Sequence, residues 1–398
     1  MLRVLTLSTL FPDSSRPNFG IFVEQQLLSL AKRSDVQVRL IVPRGIPPWP
    51  LSKLHRYSPL IGLPERERWK GIEVRRPAFL NLPGLGGRYH AAMLERALVP
   101  VIEDIRRSFA FDLIAAEFFF PDGPAAVALG KRFGVPVSIK ARGSDIHYWA
   151  HNRGTAAQVI AAGQAAQGMF AVSEAMRGDM IALGIPGERI ETITTGIDLK
   201  RFHPRDRVRG KRAVGVHGPL VVSLGALIPL KGHDILIDAV AGLPGVNLWI
   251  AGQGPEKERL QARIDKLGVG DRIRLLGGVL HSHIPILVAA ADVMALASER
   301  EGLANAWVEA LASGTPIVIP AVGGARQLVK PDSPCGHIVE RTPAAFAAGI
   351  AELIAHPRDT AAIRATVEPY TWAANSTRLH AHYSHLVAEH AGSLTAAA

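Results

Sequence analysis

The chain has 398 residues, of which 48% are hydrophobic and 20% charged, with a single cysteine and a formal net charge of +10. That length holds two or three domains, and the composition is that of a soluble globular enzyme. The lone Cys335 excludes an intrachain disulfide framework and suits a reducing compartment, and no apolar run reaches the roughly 18 residues a spanning helix needs.

The charge is uneven. Residues 1–110 carry 17 Lys/Arg against 9 Asp/Glu, a net of +8, so the other 288 residues contribute only +2. A local basic excess implies an anionic partner: nucleic acid, an acidic membrane surface or a phosphorylated substrate.

Met1 to Leu10 carries one Arg and runs into a Phe-Pro-Asp loop without a small-residue cleavage site, so it reads as a first β-strand and not a signal peptide. The loop FPDSSRPNFG follows, and Gly20 starts the helix GIFVEQQLLSLAKR. A strand, loop and helix in this order form the first βα unit of a doubly wound domain, with Asn18, Phe19 and Gly20 at the helix N-terminus. VQVRLIVP is the second strand. Residues 44–90 then change character. They are rich in Pro and Gly and place Trp49, Tyr57 and Trp69 among Lys53, Arg56, Arg66, Arg68, Lys70, Arg75 and Arg76. A structureless loop of this length is uncommon in a compact domain, so short helices and a strand at GIEVRRP are expected. Aromatics among cations suit a membrane interface or a lipid-linked acceptor, and equally an irregular insertion.

Strand-and-loop segments recur at FDLIAAEFFFPDG, at VPVSIKARGSDIHYW, which ends in Arg142, Gly143, Ser144 and Asp145, and at AQGMFAVSEAMRGDMIALGI. Their alternation with helices predicts a mostly parallel sheet. Residues 205–218 (RDRVRGKRAVGVHG) are polar, contain Gly and lack apolar periodicity, so they are read as an interdomain linker. PLVVSLGAL opens a second doubly wound domain, continued by VNLWIAGQGPEKERL and RIRLLGGV. A helix over 370–390, with Leu379, Tyr383 and Leu386 at helical spacing, ends the chain.

Two motifs in the second half carry chemistry. SLGALIPLKG leads from a strand through a glycine turn to Lys231, a mobile cation suited to a diphosphate. SEREGLANAWVEALASGTPIVIPAVGGARQ places Glu301 and Glu309 eight positions apart, on roughly one face of a helix because two turns take about 7.2 residues. A strand, a Gly turn at Gly302 and a helix N-terminus make a site for an anion, and a carboxylate further along accepts two ribose hydroxyls. Taken singly, the pair also fits an amphipathic helix with solvated glutamates, and Lys231 a surface lysine.

The spacing of these glutamates, the strand IVIPA after them and the glycines Gly323 and Gly324 resemble the Glu-x7-Glu signature of family-4 (GT4-type) retaining glycosyltransferases. That resemblance covers nearly the whole chain and implies the GT-B fold, an α/β architecture of two doubly wound Rossmann-like domains facing across a cleft. It implies an acceptor-side domain over 1–204, to which the helix 370–390 returns, and a nucleotide-sugar donor-binding domain over 219–369. Glu301, Lys231, Glu117 and Asp145 fall at the chemistry. Gly20, Gly225, Ala226, Lys231, Gly252, Gly254, Gly302, Leu303, Ala304, Asn305 and Glu309 fall on the donor, and Phe19, Arg142 and Asp145 on the acceptor side.

Three departures stand out. Ala226 occupies the place of an Arg that clamps the donor diphosphate in relatives, leaving Arg16, Arg142 or Arg326 to compensate. Leu303-Ala304-Asn305 replaces a common Phe-Gly. Glu117 stands where many relatives have His, as an acceptor ligand, a stabiliser of positive charge on the sugar, or a buried partner of Arg142. Without an Asp-x-Asp motif a metal-bridged diphosphate is not expected, and His281 and His283 show no ligand spacing.

The resulting expectation is a cytoplasmic, metal-independent glycosyltransferase. It would move a sugar from a UDP-, GDP- or ADP-sugar to a glycan or polyprenyl-linked acceptor in bacterial exopolysaccharide or envelope polysaccharide synthesis. Peripheral binding to an anionic membrane is expected through Arg66, Arg68 and Lys70, and no nucleic acid, since no basic recognition helix is present. The alternative is a non-catalytic sugar-nucleotide-binding module assisting another transferase.

Overall fold

The computed structural model describes residues 1–55, 57–85 and 87–397. Arg56, one of the cations of the aromatic and basic segment, lies outside them. The chain forms two units, Met1–Gly196 with the chain from Trp372 onward, and Ile197–Thr371.

The first unit is built on β1 (Leu2–Leu7), β2 (Val36–Ile41), β3 (Arg44–Ile46), β4 (Arg66–Trp69), β5 (Ile72–Arg75), β6 (Ala78–Leu80), β7 (Leu113–Ala116), β8 (Val137–Ala141), β9 (Gly168–Ala171) and β10 (Ile190–Thr192). Eight of these make one sheet in the order β10-β9-β8-β7-β1-β2-β5-β4. Every neighbouring pair is parallel except β4 with β5. β1 is apolar at four of its six positions, as expected where helices cover both faces of a parallel sheet, and Val4 and Leu5 are fully buried. It lies between β2 and β7, so the strand order reverses there.

The irregular stretch after β2 is more ordered than expected. β3 and β6 pair in a small parallel sheet of their own, β4 and β5 extend the main sheet, and a 3₁₀ turn at Leu51–Lys53 and a short helix at Ser58–Ile61 fill the gap. Strands of three or four residues leave no readable period, and for that reason only one of them was expected.

The last helix, Trp372–Ala397, runs beyond the expected 370–390. It buries Leu379, Tyr383 and Leu386 against Leu2, Val4, Leu113 and Phe170 of the first unit. Polar contacts fix it along its length. Ser29 Oγ donates to the Trp372 carbonyl at 2.9 Å, Asn375 Nδ2 to the Thr194 carbonyl at 2.7 Å, and His382 Nδ1 lies 2.6 Å from Glu191 Oε1.

The second unit holds β11 (Leu220–Leu224), β12 (Asn247–Ala251), β13 (Ile273–Gly277), β14 (Val293–Ala295), β15 (Ile317–Pro320) and β16 (Gly336–Val339). They are all parallel, in the order β13-β12-β11-β14-β15-β16, the Rossmann order with its reversal between β11 and β14. Leu236, Ile237, Leu248, Ile250, Ile264, Phe346 and Ile350 fill its core.

Residues 205–218, expected as a linker, belong to this unit. They contain a helix, Arg207–Ala213, whose N-cap Asp206 accepts from the Arg209 amide at 3.0 Å. Lys211 Nζ bonds Asp292 at 2.9 Å. Capping and an ion pair hold this polar helix where apolar periodicity gave no sign of one. Among the described residues, no helix is long and apolar enough to cross a membrane.

Candidate active site

At the carboxyl edge of the second sheet, the loops after β11 and β14 leave in opposite directions, and the crevice so formed is where open α/β sheets bind ligands. The two loops are joined by the Glu299 amide donating to the Leu230 carbonyl at 2.8 Å. Lys231 closes the turn Pro229–Lys231 and its ammonium pairs with Glu301 Oε1. Ser298 Oγ, fully buried, donates to the same oxygen at 2.7 Å. The side chains of Lys231 and Glu301 keep 19% and 12% exposure, so the pair is open to solvent at one side.

Gly302, Leu303 and Ala304 are buried, and the helix Asn305–Ala312 starts at Asn305, so its first amides have no carbonyl of their own turn to bond. Glu309 lies one turn further along. Its Oε1 is 3.1 Å from His281 Nε2, while His281 Nδ1 is buried with no hydrogen-bond partner among the described residues. His281 thus faces the second glutamate directly. Nothing in the sequence signalled this contact, because the two residues lie 28 positions apart, one in a turn and the other on a helix.

The glycines are set by close backbone approach. A Cβ on Gly252 would sit 1.8 Å from the Gly225 carbonyl oxygen, and one on Gly254 2.3 Å from the Leu227 oxygen. The loops after β11 and β12 are zipped together there, with Gly225 N on the Ala251 carbonyl and Leu227 N on the Gln253 carbonyl at 3.1 and 2.9 Å. Gly323, at φ 49°, would place a Cβ 2.2 Å from the Glu301 carbonyl oxygen, so only glycine lets the turn after β15 support the Glu301 loop.

Ala226 is exposed, and its carbonyl lies 3.2 Å from Nε2 of His233, whose Nδ1 is 3.3 Å from Ser223 Oγ. Burial lowers the His233 pKa. This buried imidazole, unforeseen from sequence, fixes the turn that leads to Lys231. Arg326 is exposed and lines a cavity with Lys330, His337 and Arg358.

The carboxyl edge of the first sheet is arranged differently. Phe19 is 38% exposed with the Arg16 guanidinium 4.5 Å above its ring, and Gly20 caps the helix Ile21–Ala31. Arg16 itself is held by Asp13 at 2.7 Å. Glu117, just after β7, is buried and paired with Arg142, which also donates to the Glu117 carbonyl at 2.6 Å. Of the readings open for Glu117, the structure shows the buried partner of Arg142. Gln26 completes the cluster, donating to Glu117 Oε1 at 2.6 Å and accepting from Lys140 Nζ at 2.5 Å. Arg142 is therefore spent on Glu117, and no free cation from it is left to replace the one missing at Ala226.

Asp145 requires a correction. Its carboxylate is fully buried and accepts from the amides of Phe119, Arg142, Gly143 and Ile146 at 2.7–3.2 Å. An acceptor whose lone pairs are filled by backbone holds two loops together and does not face a reactant. Burial still raises its pKa, against the lowering by those amides.

Two further buried charges escaped the sequence reading. Lys140, the last residue but one of β8, has its pKa pushed down to about 7 by burial, and Asp122 has its pKa pushed up to about 7 by the same cause. Asp122 Oδ2 accepts from the Thr9 amide at 2.9 Å, while Oδ1 has no partner among the described residues. Among the described residues no group of three or more His, Cys, Asp or Glu is placed to hold a metal ion.

Two Rossmann-like units in one chain, the second with a lysine and a glutamate gathered at its switch point, define a GT-B glycosyltransferase. The chain belongs to the GT4-type glycosyltransferases, a hexosyltransferase class: its residues 204–367 match the family described as glycosyl transferases group 1, and residues 23–201 match glycosyltransferase family 4. It is 27% identical over 335 residues to a Bacillus subtilis protein named as a teichuronic acid biosynthesis glycosyltransferase, TuaC, covering 82% of this chain and 83% of that one. It is 34% identical over 217 residues to a D-inositol 3-phosphate glycosyltransferase of Mycolicibacterium gilvum, covering 52% of this chain and 48% of that one, so it spans about half the length of that relative. Among solved structures, sucrose-phosphate synthase from Thermosynechococcus elongatus superposes with a TM-score of 0.82 at 20% identity, covering 98% of this chain and all of that one. Anabaena HepE in complex with UDP superposes with 0.73 at 22% identity, covering 97% of this chain and all of that one.

Proposed function

We propose that this glycosyltransferase takes its sugar from a nucleoside-diphosphate sugar and passes it, with retention of configuration, to a glycan or lipid-linked acceptor of bacterial exopolysaccharide or envelope polysaccharide. The observation that carries the reading is the Lys231–Glu301 pair at the switch point of the second sheet. A lysine is a compact cation on a flexible stem, so it can leave a carboxylate for a diphosphate without any backbone movement. The complex of HepE with UDP supports a nucleotide at this kind of fold, and the name of TuaC supports a polysaccharide pathway.

In this reading the second unit holds the donor and the first the acceptor. Lys231 and the amides around Gly302–Asn305 stabilise the charge on the departing diphosphate, the main service a protein renders to such a transfer. Glu301 lies by the sugar, Glu309 takes the ribose hydroxyls, and the loop at Gly252 and Gly254 flanks the base. The leaving oxygen itself removes the acceptor proton on the face it departs from, so the protein's remaining task is to position the partners. Metal independence rests on the missing Asp-x-Asp motif. The enzyme works at an anionic membrane surface to which it binds peripherally, in keeping with the basic excess of residues 1–110.

One observation favours a second reading. Ala226 is exposed where a cation would complete the diphosphate clamp, and Arg142 is bound to Glu117. A chain that binds a sugar nucleotide without turning it over would look like this. Calorimetric titration of UDP, GDP and ADP in EDTA, followed by assay of donor hydrolysis, separates the two. Lys231→Ala should weaken binding of the preferred nucleoside diphosphate by roughly 1.5–3 kcal/mol, the scale of a charged hydrogen bond. Unchanged affinity would remove Lys231 from the diphosphate. Binding without hydrolysis or transfer would favour the module, and binding only with added Mg²⁺ would end the metal-free reading.

A further inference from the structure

We propose that residues 49–55 and 57–61 form a membrane-insertion element that enters the interface of an anionic bilayer. The inference rests on the reading of peripheral association above and moves it to other residues. Trp49 is 74% exposed, Leu51 41%, Leu54 47% and Ile61 50%. Four large apolar side chains held in water within thirteen residues are a cost that a soluble surface ordinarily avoids.

The segment is not a loose insertion. Its turns are hydrogen-bonded in series: Leu54 N to the Leu51 carbonyl at 3.1 Å, Tyr57 N to Leu54 at 2.8 Å and Ser58 N also to Leu54 at 3.0 Å. From behind, Arg44 clamps it. That guanidinium is 7% exposed and donates to the carbonyls of Leu60 and Leu63 at 3.0 and 2.8 Å, while its Nε donates to the Arg76 carbonyl at 2.7 Å. A buried arginine thus satisfies the end of the short helix Ser58–Ile61, and the apolar side chains face outward from a fixed backbone. An element ordered in advance loses little conformational entropy on binding.

The charges fit a lipid surface. Residues 36–64 contain no Asp or Glu, and Lys53 and His55 lie exposed between the apolar positions. By contrast, two of the cations expected to bind the membrane are engaged elsewhere: Arg66 pairs with Asp104 at 3.2 Å and Lys70 with Glu24 at 2.8 Å. A protein partner is the weaker fit, because a stable interface draws about 20–30 residues a side. A few inserted apolar chains with flanking cations suffice for reversible lipid binding, and tryptophan favours the headgroup level.

The test is co-sedimentation of the full chain with vesicles of phosphatidylcholine and phosphatidylglycerol at low and high salt. The double variant Trp49→Ser/Leu54→Ser should lower the partition coefficient by about tenfold or more at both salts, as expected for lost apolar insertion. Arg66→Gln/Lys70→Gln should change it by less than about threefold, since each of these cations is already paired with an acid. All the substituted side chains are themselves exposed, so circular dichroism should show an unchanged fold. If the wild-type chain stays in the supernatant, peripheral association itself fails. If it sediments and Trp49→Ser/Leu54→Ser sediments equally well, association stands and the insertion element is overturned.

Discussion

The first unit carries an ion pair, Arg142 with Glu117, whose side chains are 5% and 1% exposed; the second carries Lys231 with Glu301, at 19% and 12%. Both lie at the carboxyl edge of a mostly parallel sheet, beside the strand where the order reverses. The first pair is locked. Arg142 also holds the Glu117 carbonyl, and Gln26 ties the carboxylate to Lys140. The second pair is held by one mobile cation and one serine hydroxyl. A buried pair braced on all sides orders a loop, whereas a half-open pair with a flexible lysine can exchange its partner. The same topology therefore supplies a scaffold in one unit and a binding group in the other.

The largest effect that tests this contrast is on stability. Glu117→Ala leaves Arg142 and Lys140 buried without their carboxylate and should destabilise the first unit by about 3–5 kcal/mol. Glu301→Ala leaves Lys231 free to reach water and should cost less than about 1 kcal/mol. Hydrogen exchange of amides in β7 and β8, and separately in β11 and β14, reads the two units independently. Equal losses would mean that the second pair is also part of the scaffold.

A smaller effect, dependent on pH, comes from the two displaced charges of the first unit. Asp122 has a folded-state pKa of about 7 against the ordinary 3.8. Its contribution to stability is therefore fully present below about 3.8 and lost as pH rises through 7. Lys140, at about 7 against 10.5, behaves oppositely: its contribution is present above about 10.5 and lost as pH falls through 7. Asp122→Asn keeps an acceptor for the Thr9 amide and removes a buried charge beside Asp145 and Glu117. It should raise stability by roughly 1–3 kcal/mol at pH 8 and by little at pH 4. Lys140→Met should do the reverse, helping at pH 6 and not at pH 10. An Asp122→Asn gain that is the same at pH 4 and pH 8 would show that burial of the charge is not its source.

Much of this was legible in the sequence, and the misses share one cause. Apolar strands alternating with amphipathic helices gave the doubly wound units, since parallel strands are buried on both faces. Gly252, Gly254 and Gly323 stand where backbones touch, and Glu301 and Lys231 meet although 70 residues separate them. What could not be read is which charges are already spent. Counting cations over residues 1–110 made Arg66 and Lys70 look free, but their partners, Asp104 and Glu24, lie 38 and 46 positions away. The family resemblance placed Asp145 at the chemistry. Its four amide donors were unreadable in that segment, although an Asp two and three residues past Gly143 and Arg142 is the local pattern of a side chain capping its own loop. Lys140 inside VSIKA also carried a visible signal, a cation within a mostly apolar strand.

The smallest effect concerns Glu309 and sharpens the contrast from the donor side. If the second unit's carboxylates are exchangeable, Glu309 must be able to give up His281 for a ligand. The contact is a single hydrogen bond at 3.1 Å, and the other carboxylate oxygen accepts no hydrogen bond among the described residues. A ribose offers two neighbouring hydroxyls to such a group, each worth about 0.5–1.5 kcal/mol to a neutral acceptor and more to a charged one. Glu309→Gln keeps the shape and loses the charge, so the dissociation constant for the preferred nucleoside diphosphate should rise by roughly five- to tenfold, about 1–1.4 kcal/mol. The same variant should bind the 2′,3′-dideoxy nucleotide almost as the wild type does, because the hydroxyls it addresses are gone. His281→Ala removes only the resting partner and should shift ribonucleotide affinity by less than about threefold. Calorimetry with the two nucleotides decides the matter. Equal losses on both would detach Glu309 from the ribose, and a His281→Ala loss as large as that of Glu309→Gln would mean that the histidine fixes the carboxylate in place, making this pair as locked as the one in the first unit.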